Sequence, residues 1–201
     1  MGGNMVRKFV AVLFALALFG ASLGAAQISI GVGGQWLSPS SDKYKNDLGI
    51  EMKSGFGAEG NVMFPVGQSF KLGASVQWSS HGITDAANNA SLLGAFGEGR
   101  YMFGSGAKAT PYVAGRVGYS QWTYSETGID LKASGLAYGG GVGVMIAMSP
   151  TLAIDVNGMY NGHSFGDIDA NGSTASGTSA TVQALQIRAG VNFKLGGGGA
   201  Q

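Results

Sequence analysis

Eight stretches of the chain alternate apolar and polar residues, and the apolar positions inside each stretch carry no charge. The clearest are 28–36, 70–78 and 185–195, whose apolar positions hold Ile, Val, Leu, Ala, Phe, Trp or Gly. Polar residues such as Gln35 and Arg188 stand between them. Because side chains on a strand point to alternate faces, each stretch predicts a strand with one apolar and one polar face. The pattern therefore predicts an all-β protein.

The connections between these strands alternate in length. The predicted strands are 28–37, 50–64, 69–79, 92–103, 111–121, 134–147, 151–162 and 183–195. Short connections at 65–67, 104–110 and 148–150 alternate with longer polar ones at 38–49, 80–91, 122–133 and 163–182. Barrels of bacterial outer membranes have an even number of strands, short periplasmic turns and long external loops. The sequence therefore predicts an eight-stranded antiparallel up-and-down transmembrane β-barrel.

The N-terminus predicts a cleaved secretory signal peptide. Arg7 and Lys8 precede an apolar run at 9–19 and then a segment of small residues at 21–26, which is the order of regions in such a peptide. The chain has no cysteine, so no disulfide framework is expected. The expected division is a signal peptide, an outer-membrane barrel and a short Gly-rich periplasmic tail, at 1–26, 27–195 and 196–201.

Composition favours a membrane surface over a soluble one. Charged residues make up 11% of the chain, against about 25% in ordinary soluble domains. A secreted lipocalin-like barrel or sandwich is the soluble alternative. It would place the apolar face inward and expose to water a polar face with few charges. The near-neutral net charge of +1 also lacks the basic excess of a nucleic-acid surface.

Aromatic residues on the apolar face fall near the two ends of the predicted strands. If the chain enters from the periplasm, those at the periplasmic ends are Phe64, Phe70, Tyr101, Phe103 and Phe193, and those at the external ends are Trp36, Trp78, Tyr119, Tyr138 and Tyr160. Amphipathic rings favour the two headgroup zones of a bilayer. The two rows predict aromatic girdles, which the soluble alternative leaves unexplained.

Charged residues lie on the inward face of the predicted barrel. They are Glu51, Lys53, Glu59, Lys71, Glu98, Arg100, Arg116, Asp155, Arg188 and Lys194. An eight-stranded barrel is only wide enough for its side chains, and buried charges need partners. A turn centred near Ala107 would place Glu98 opposite Arg116, which predicts an ion pair. We expect a polar plug. The alternative is a gated or narrow conduction path, because strand six turns only Gly and Ala inward.

Candidate catalytic groups are few. His81 and His163 are predicted near the external rim, beside Ser79, Ser80 and Ser164. A rim histidine beside serines resembles the sites of outer-membrane lipid hydrolases and acyltransferases, but this spacing matches no hydrolase motif. The simpler interpretation is two solvent-facing loop histidines. We expect no catalytic residues and no enzyme activity.

Residues 167–172, Asp-Ile-Asp-Ala-Asn-Gly, match the first half of a calcium-binding loop. The acid expected at the twelfth position is missing, because Thr178 stands there. The Asn171-Gly172 pair is equally typical of a tight turn. No metal and no cofactor are therefore assigned.

Over the signal peptide and all eight strands, the chain resembles the small outer-membrane β-barrels of Gram-negative bacteria. This group includes the OmpA transmembrane domain, OmpX, OmpW and opacity-type surface proteins. Two features depart from the group: Phe193 and Leu195 close the last strand but 196–201 follow, and no peptidoglycan-binding domain follows the barrel, so a tether to the cell wall is not expected.

The resemblance implies an outer-membrane location and a structural or surface-interaction role. The alternatives are a narrow channel or carrier for small molecules and, as a minor possibility, a lipid-modifying enzyme at the rim. The expected partners are outer-membrane lipids, the secretion and barrel-insertion machinery and an unidentified surface ligand of the external loops. We expect a monomer that binds no nucleic acid.

Overall fold

Nine antiparallel strands make up most of the computed structural model, which describes residues 28–39, 51–84, 88–104, 106–126, 128–175 and 180–195. They are β1 (Ile28–Pro39), β2 (Met52–Pro65), β3 (Phe70–Ile83), β4 (Asn89–Met102), β5 (Ala109–Glu126), β6 (Ile129–Ala147), β7 (Leu152–Ala170), β8 (Ser173–Ala175) and β9 (Ala180–Leu195). The predicted signal peptide at 1–26 and tail at 196–201 lie outside the described residues.

The strands close into a barrel. Each strand from β1 to β7 pairs with the next one along the chain, β7 also pairs with β9, and β9 pairs with β1. These eight strands form a closed antiparallel ring, as predicted. The short strand β8 pairs only with the end of β7. The described ranges contain no apolar helix of membrane-crossing length.

The barrel buries its polar face and exposes its apolar face. On β1, Ser29 and Gln35 are buried, whereas Ile30 and Val32 are exposed. Most other strands repeat this arrangement, so large apolar side chains cover the outer wall. A water-soluble barrel would show the opposite arrangement. The soluble alternative is therefore wrong, because it requires the apolar face to be buried inside the barrel.

Several strands run further than the sequence pattern predicts. β5 extends to Glu126 and β6 begins at Ile129, so the predicted loop at 122–133 shrinks to 127–128. The expected strict alternation of short and long connections is wrong at this point. The reason is that apolar and polar residues still alternate here, but the apolar ones now point inward: Trp122 and Tyr124 are buried, and the polar residues beside them face outward. The backbone N–H and C=O groups pair with the neighbouring strand whichever face of the strand is polar.

An irregularity in β2 changes which side chains face inward. Its pairing with β3 matches Met52 with Ile83 and Gly55 with His81, which leaves an extra residue in β2 between these pairs. A β-bulge of this kind exchanges the two faces of a strand beyond it. As a result Met52 is buried and Lys53 is exposed.

Glycines allow neighbouring strands to approach closely on the inner face. A Cβ atom placed on Gly33 would lie 2.6 Å from the carbonyl oxygen of Ala189 and 2.9 Å from the Cα atom of Gly190. A Cβ atom on the adjacent Gly34, which faces outward, would meet no atom within 4 Å. The same substitution at these two positions therefore meets opposite constraints.

We expect Gly33→Ala to lower the free energy of unfolding by about 1–3 kcal/mol, because the backbone of β9 must shift to admit the methyl group. Gly34→Ala is its matched control and is expected to be neutral or to stabilise by about 0.5–1 kcal/mol. Urea titration of the protein folded in lipid vesicles measures both values. Equal effects of the two substitutions would contradict the packing described here.

Candidate functional site in the barrel lumen

Arg116 of β5 reaches across the middle of the lumen to other strands. Its Nη1 donates to Oε2 of Glu59 at 3.0 Å, its Nε to Oδ1 of Asn161 at 2.9 Å, and its Nη2 to Oε1 of Gln77 at 3.0 Å. The Cζ atom also lies 4.2 Å from the ring centroid of Phe96. The buried guanidinium therefore has an acceptor on each nitrogen and an aromatic face beside it.

Two further arginines continue this network toward the end of the barrel that carries the turns at 66–69, 103–108 and 148–151. Arg188 donates from Nη1 to Glu59 and from Nη2 to Oδ2 of Asp155 at 2.7 Å. Arg100 donates from Nη1 to the same Asp155 oxygen at 2.9 Å and from Nε to Oε1 of Glu98 at 2.6 Å. Carboxylates and guanidiniums thus alternate in one chain of ion pairs, in the order Glu98, Arg100, Asp155, Arg188, Glu59 and Arg116. We call these six residues the ion-pair chain, and their formal charges cancel.

Uncharged side chains complete the hydrogen bonds of the two central carboxylates. The Tyr112 hydroxyl donates to Oδ1 of Asp155 at 2.6 Å, and Asn192 Nδ2 donates to its Oδ2 at 3.2 Å. Gln186 Nε2 donates to Oε2 of Glu59 at 3.1 Å. Attention to charge alone misses these residues. Their signal in the sequence is their position on the inward face of strands β5 and β9.

The structure divides the ten predicted lumen charges into three groups. Six form the ion-pair chain. Three are half-buried: Lys71, Lys194 and Glu51. The two lysines lie at the end of the barrel that carries the turns at 66–69, 103–108 and 148–151. Lys53 is exposed, so its expected inward position is wrong. The bulge in β2 is the physical reason, because it exchanges the faces of the strand at this residue.

The expected ion pair between Glu98 and Arg116 does not form, although its register is right. The two residues are directly paired between β4 and β5. Their side chains choose other partners: Glu98 accepts from Arg100 on its own strand, and Arg116 reaches Glu59. In a narrow lumen a long guanidinium reaches the opposite wall as easily as its cross-strand neighbour.

Both histidines lie inside the barrel. The Nε2 atom of His81 is 2.9 Å from the Ser79 hydroxyl, and Nδ1 of His163 is 2.9 Å from the Ser120 hydroxyl. Each histidine is 1% exposed. The interpretation as solvent-facing loop histidines is therefore wrong, because β3 and β7 continue past the expected strand ends. Of the neighbouring serines, Ser80 and Ser164 are half-buried and form no pair with these rings in the described ranges.

A cluster of apolar side chains fills the lumen at the end opposite the turns at 66–69, 103–108 and 148–151. The sequence pattern did not predict it. Its members are Leu37, Met52, Ile83, Ala90, Leu92, Trp122, Tyr124, Ala133, Phe165 and Val182, and we call it the apolar cap. Its signal in the sequence is the alternation in segments such as 121–125 and 130–134, where the apolar residues occupy the inward positions. These segments resemble polar loops if apolar residues are expected only at the outward positions.

The segment that resembles a calcium loop forms a hairpin turn. Asn171 and Gly172 have φ angles of 51° and 82° and join the paired residues Ala170 and Ser173. Oδ1 of Asp169 accepts from the Gly172 N–H at 2.9 Å, so it serves the turn. Thr178 and the Asp167 side chain lie outside the described residues. Within the described part of the chain, no group of three side chains is placed to hold a metal ion.

The chain matches a known family over nearly its whole length. Residues 10–194 match the model of the outer membrane protein beta-barrel domain. The chain belongs to this family. No curated protein sequence matches it. As an outer-membrane β-barrel it lies in the outer membrane, with its apolar outer wall against lipid.

Solved outer-membrane proteins share this fold at low sequence identity. Neisserial surface protein A, from Neisseria, is 17% identical with a TM-score of 0.59, over 86% of this chain and 98% of that one. OprG from Pseudomonas aeruginosa is 14% identical with a TM-score of 0.58, over 86% and 97%. Ail, the attachment invasion locus protein of Yersinia pestis, is 14% identical with a TM-score of 0.54, over 85% and 99%. These likenesses support the fold.

Nine of the ten aromatic side chains proposed for the girdles lie at least partly on the outer wall of this outer-membrane barrel. Seven are well exposed: Phe70, Tyr101, Phe103, Phe193, Trp78, Tyr138 and Tyr160. Trp36 and Tyr119 are half-buried. Phe64 is 7% exposed, so its expected place on the lipid surface is wrong. Its cross-strand neighbour Leu72 is exposed, so Phe64 lies on the outward face of the sheet but its ring is covered.

We expect the tryptophans of the barrel to report the two environments separately. Trp78 is 51% exposed on the outer wall, whereas Trp122 is 2% exposed in the apolar cap. In vesicles of lipid brominated on the acyl chain, fluorescence of a variant retaining only Trp78 should be strongly quenched. A variant retaining only Trp122 should not, because quenching needs contact with bromine. Equal quenching of both variants would show that the two faces are assigned incorrectly.

We expect Glu59→Gln to lower the free energy of unfolding by about 3–5 kcal/mol, because Arg116 and Arg188 lose a shared buried carboxylate. Asp130→Asn, an exposed carboxylate on β6, is the matched control and should change the value by less than about 0.5 kcal/mol. Urea titration in vesicles measures both. A Glu59→Gln value as small as the control would refute the ion-pair chain.

Proposed function

We propose that this outer-membrane barrel has a structural or surface-interaction role, with its lumen closed by the ion-pair chain and its polar neighbours. The observation that carries this proposal is the burial around Arg116 in mid-barrel. Gln77, Asn161 and Gln186 come from three different strands, and each is 0% exposed. A side chain without accessible surface has no water-sized space beside it. This supports a lumen without a water path at that level.

The apolar cap adds a second barrier toward the external end. Leu37 and Ala90 are fully buried there, and Trp122 and Phe165 are nearly so. A small ion would have to cross this apolar layer before it reached the ion-pair chain. Desolvating an ion in such surroundings is strongly unfavourable. The two layers in series favour a closed barrel over a narrow channel.

We also propose that the barrel performs no chemistry of its own. A nucleophile must be within reach of both its base and its substrate. The two serine–histidine pairs have the first of these, but they are buried inside the barrel, and the apolar cap lies toward the external end. A lipid at the rim would not reach them.

The external loops are a further place for a specific partner. Ail has been solved in complex with sucrose octasulfate, a heparin analogue, so a barrel of this fold binds a ligand. For this chain we propose lipid as the partner of the outer wall and an unidentified ligand for the external loops. Assistance by the insertion machinery and a monomeric state are part of the same proposal.

A carrier for small apolar molecules is the second candidate, and the apolar cap favours it. An apolar lining at an external opening is suited to such a ligand. The cap is filled by its own side chains, so a ligand would have to displace them. Uptake of an apolar dye into protein-containing vesicles at the rate of protein-free vesicles would remove this candidate.

We expect no single-channel steps in planar bilayers containing the wild-type protein, with a large porin as the positive control. The triple variant Glu59→Ala, Arg116→Ala and Trp122→Ala removes part of both barriers and should produce small steps. The matched control, Asp130→Ala with Lys132→Ala, changes exposed residues and should stay silent. Steps in the wild type would refute the closed lumen. A silent triple variant would show that these residues do not close it.

A further inference from the structure

Two lysines remain after the charges of the lumen are paired. The three carboxylates of the ion-pair chain are matched by its three arginines. Lys71 and Lys194 lie inside the periplasmic end of the barrel, and neither forms an ion pair with any residue that the structure describes. The periplasmic mouth therefore carries two positive charges without a counter-charge from the described chain.

The fold places Lys194 in the wall of a small cavity and Lys71 beside that wall. Lys194 and Met145 both line a cavity of about 350 Å³ between the turns at 103–108 and 148–151. The ammonium group of Lys71 lies 4.0 Å from the Sδ atom of Met145. Thr110 and Ser149 add hydroxyl groups to the cavity wall. One cation and two hydroxyl groups thus line this space, and the ammonium group of Lys71 lies next to one of its wall residues.

A third cation stands directly behind Lys71. Arg100 is its cross-strand partner between β3 and β4. The Nε and Nη1 atoms of Arg100 are bonded within the ion-pair chain, but its buried Nη2 has no acceptor among the described residues. Like charges directly opposite on neighbouring strands repel. An anion at the mouth would relieve this repulsion.

We propose that the periplasmic mouth of the barrel binds a phosphate group, held by the ammonium groups of Lys71 and Lys194. Lysine binds phosphate as a compact charge with three donors, and a phosphate carries more charge and more acceptor oxygens than a carboxylate. The group belongs either to a free phosphate or to the headgroup of a lipid in the periplasmic leaflet. This site is independent of whether the lumen conducts.

The test is titration of the full chain, folded in a neutral detergent and a phosphate-free buffer, with inorganic phosphate followed by calorimetry. We expect saturable binding at one site with a millimolar dissociation constant. Lys71→Met and Lys194→Met should each weaken binding about tenfold or more, because each removes one charged contact. Lys108→Met is the matched control: Lys108 is exposed on a turn at the same end, and its loss should change affinity less than about twofold.

Folding of each variant is checked by its heat-dependent migration on gels, and methionine keeps the length of the lysine stem. A second titration with dihexanoyl phosphatidic acid identifies the source of the phosphate. Binding about tenfold tighter than inorganic phosphate assigns the site to a lipid headgroup, and equal binding assigns it to a free phosphate. Absence of saturable binding, wild-type affinity in both lysine variants, or an equal loss in Lys108→Met would each overturn the proposal.

Discussion

The narrow lumen of an eight-stranded ring is the constraint on which the rest of the structure depends. Closure satisfies every backbone ladder and leaves each side chain on the outer wall or inside. A charge in the middle of the lumen has no water to solvate it, so it must find an opposite charge. The result is the ion-pair chain, in which Arg116 of β5 binds Glu59 of β2. Backbone hydrogen bonds join only neighbouring strands, whereas three of the five ion pairs in this chain join strands that do not pair with each other.

The sequence predicts the wall of the barrel well and the ends of its strands poorly. Alternation with a charge-free parity identifies the lipid-facing half of each strand because the bilayer selects one face. Beyond the bilayer the selection reverses: Trp122 and Tyr124 turn inward and their polar neighbours face water. Apolar and polar residues still alternate with a period of two. The segment nevertheless resembles a loop if the apolar residues are expected on the outward face. Histidines 81 and 163 were misplaced for the same reason, since both lie near this change of faces.

The inward position of most of the lumen charges could be predicted from the sequence, but their partners could not. The pleat of a strand fixes whether Glu98 faces inward, and the register with Arg116 follows from one turn. The choice of Arg100 instead depends on the width of the lumen and on every other charge that reaches the same space. The position of Lys53 could not be predicted for another reason. The extra residue in β2 changes which side chains face inward, and the composition of the strand does not show where such a residue lies.

The closed lumen proposed above would restrict where the protein can act. The ion-pair chain is electrically neutral and buried, so it offers little surface to a partner, and the apolar cap is buried beyond it toward the other end of the barrel. What stays accessible is the outer wall, the external loops and the periplasmic mouth. Among the described residues at that mouth, Lys71 and Lys194 are the lumen charges without an ion-pair partner. On the proposed function, a specific partner would bind at the ends of the barrel, because the side chains in its middle bind one another.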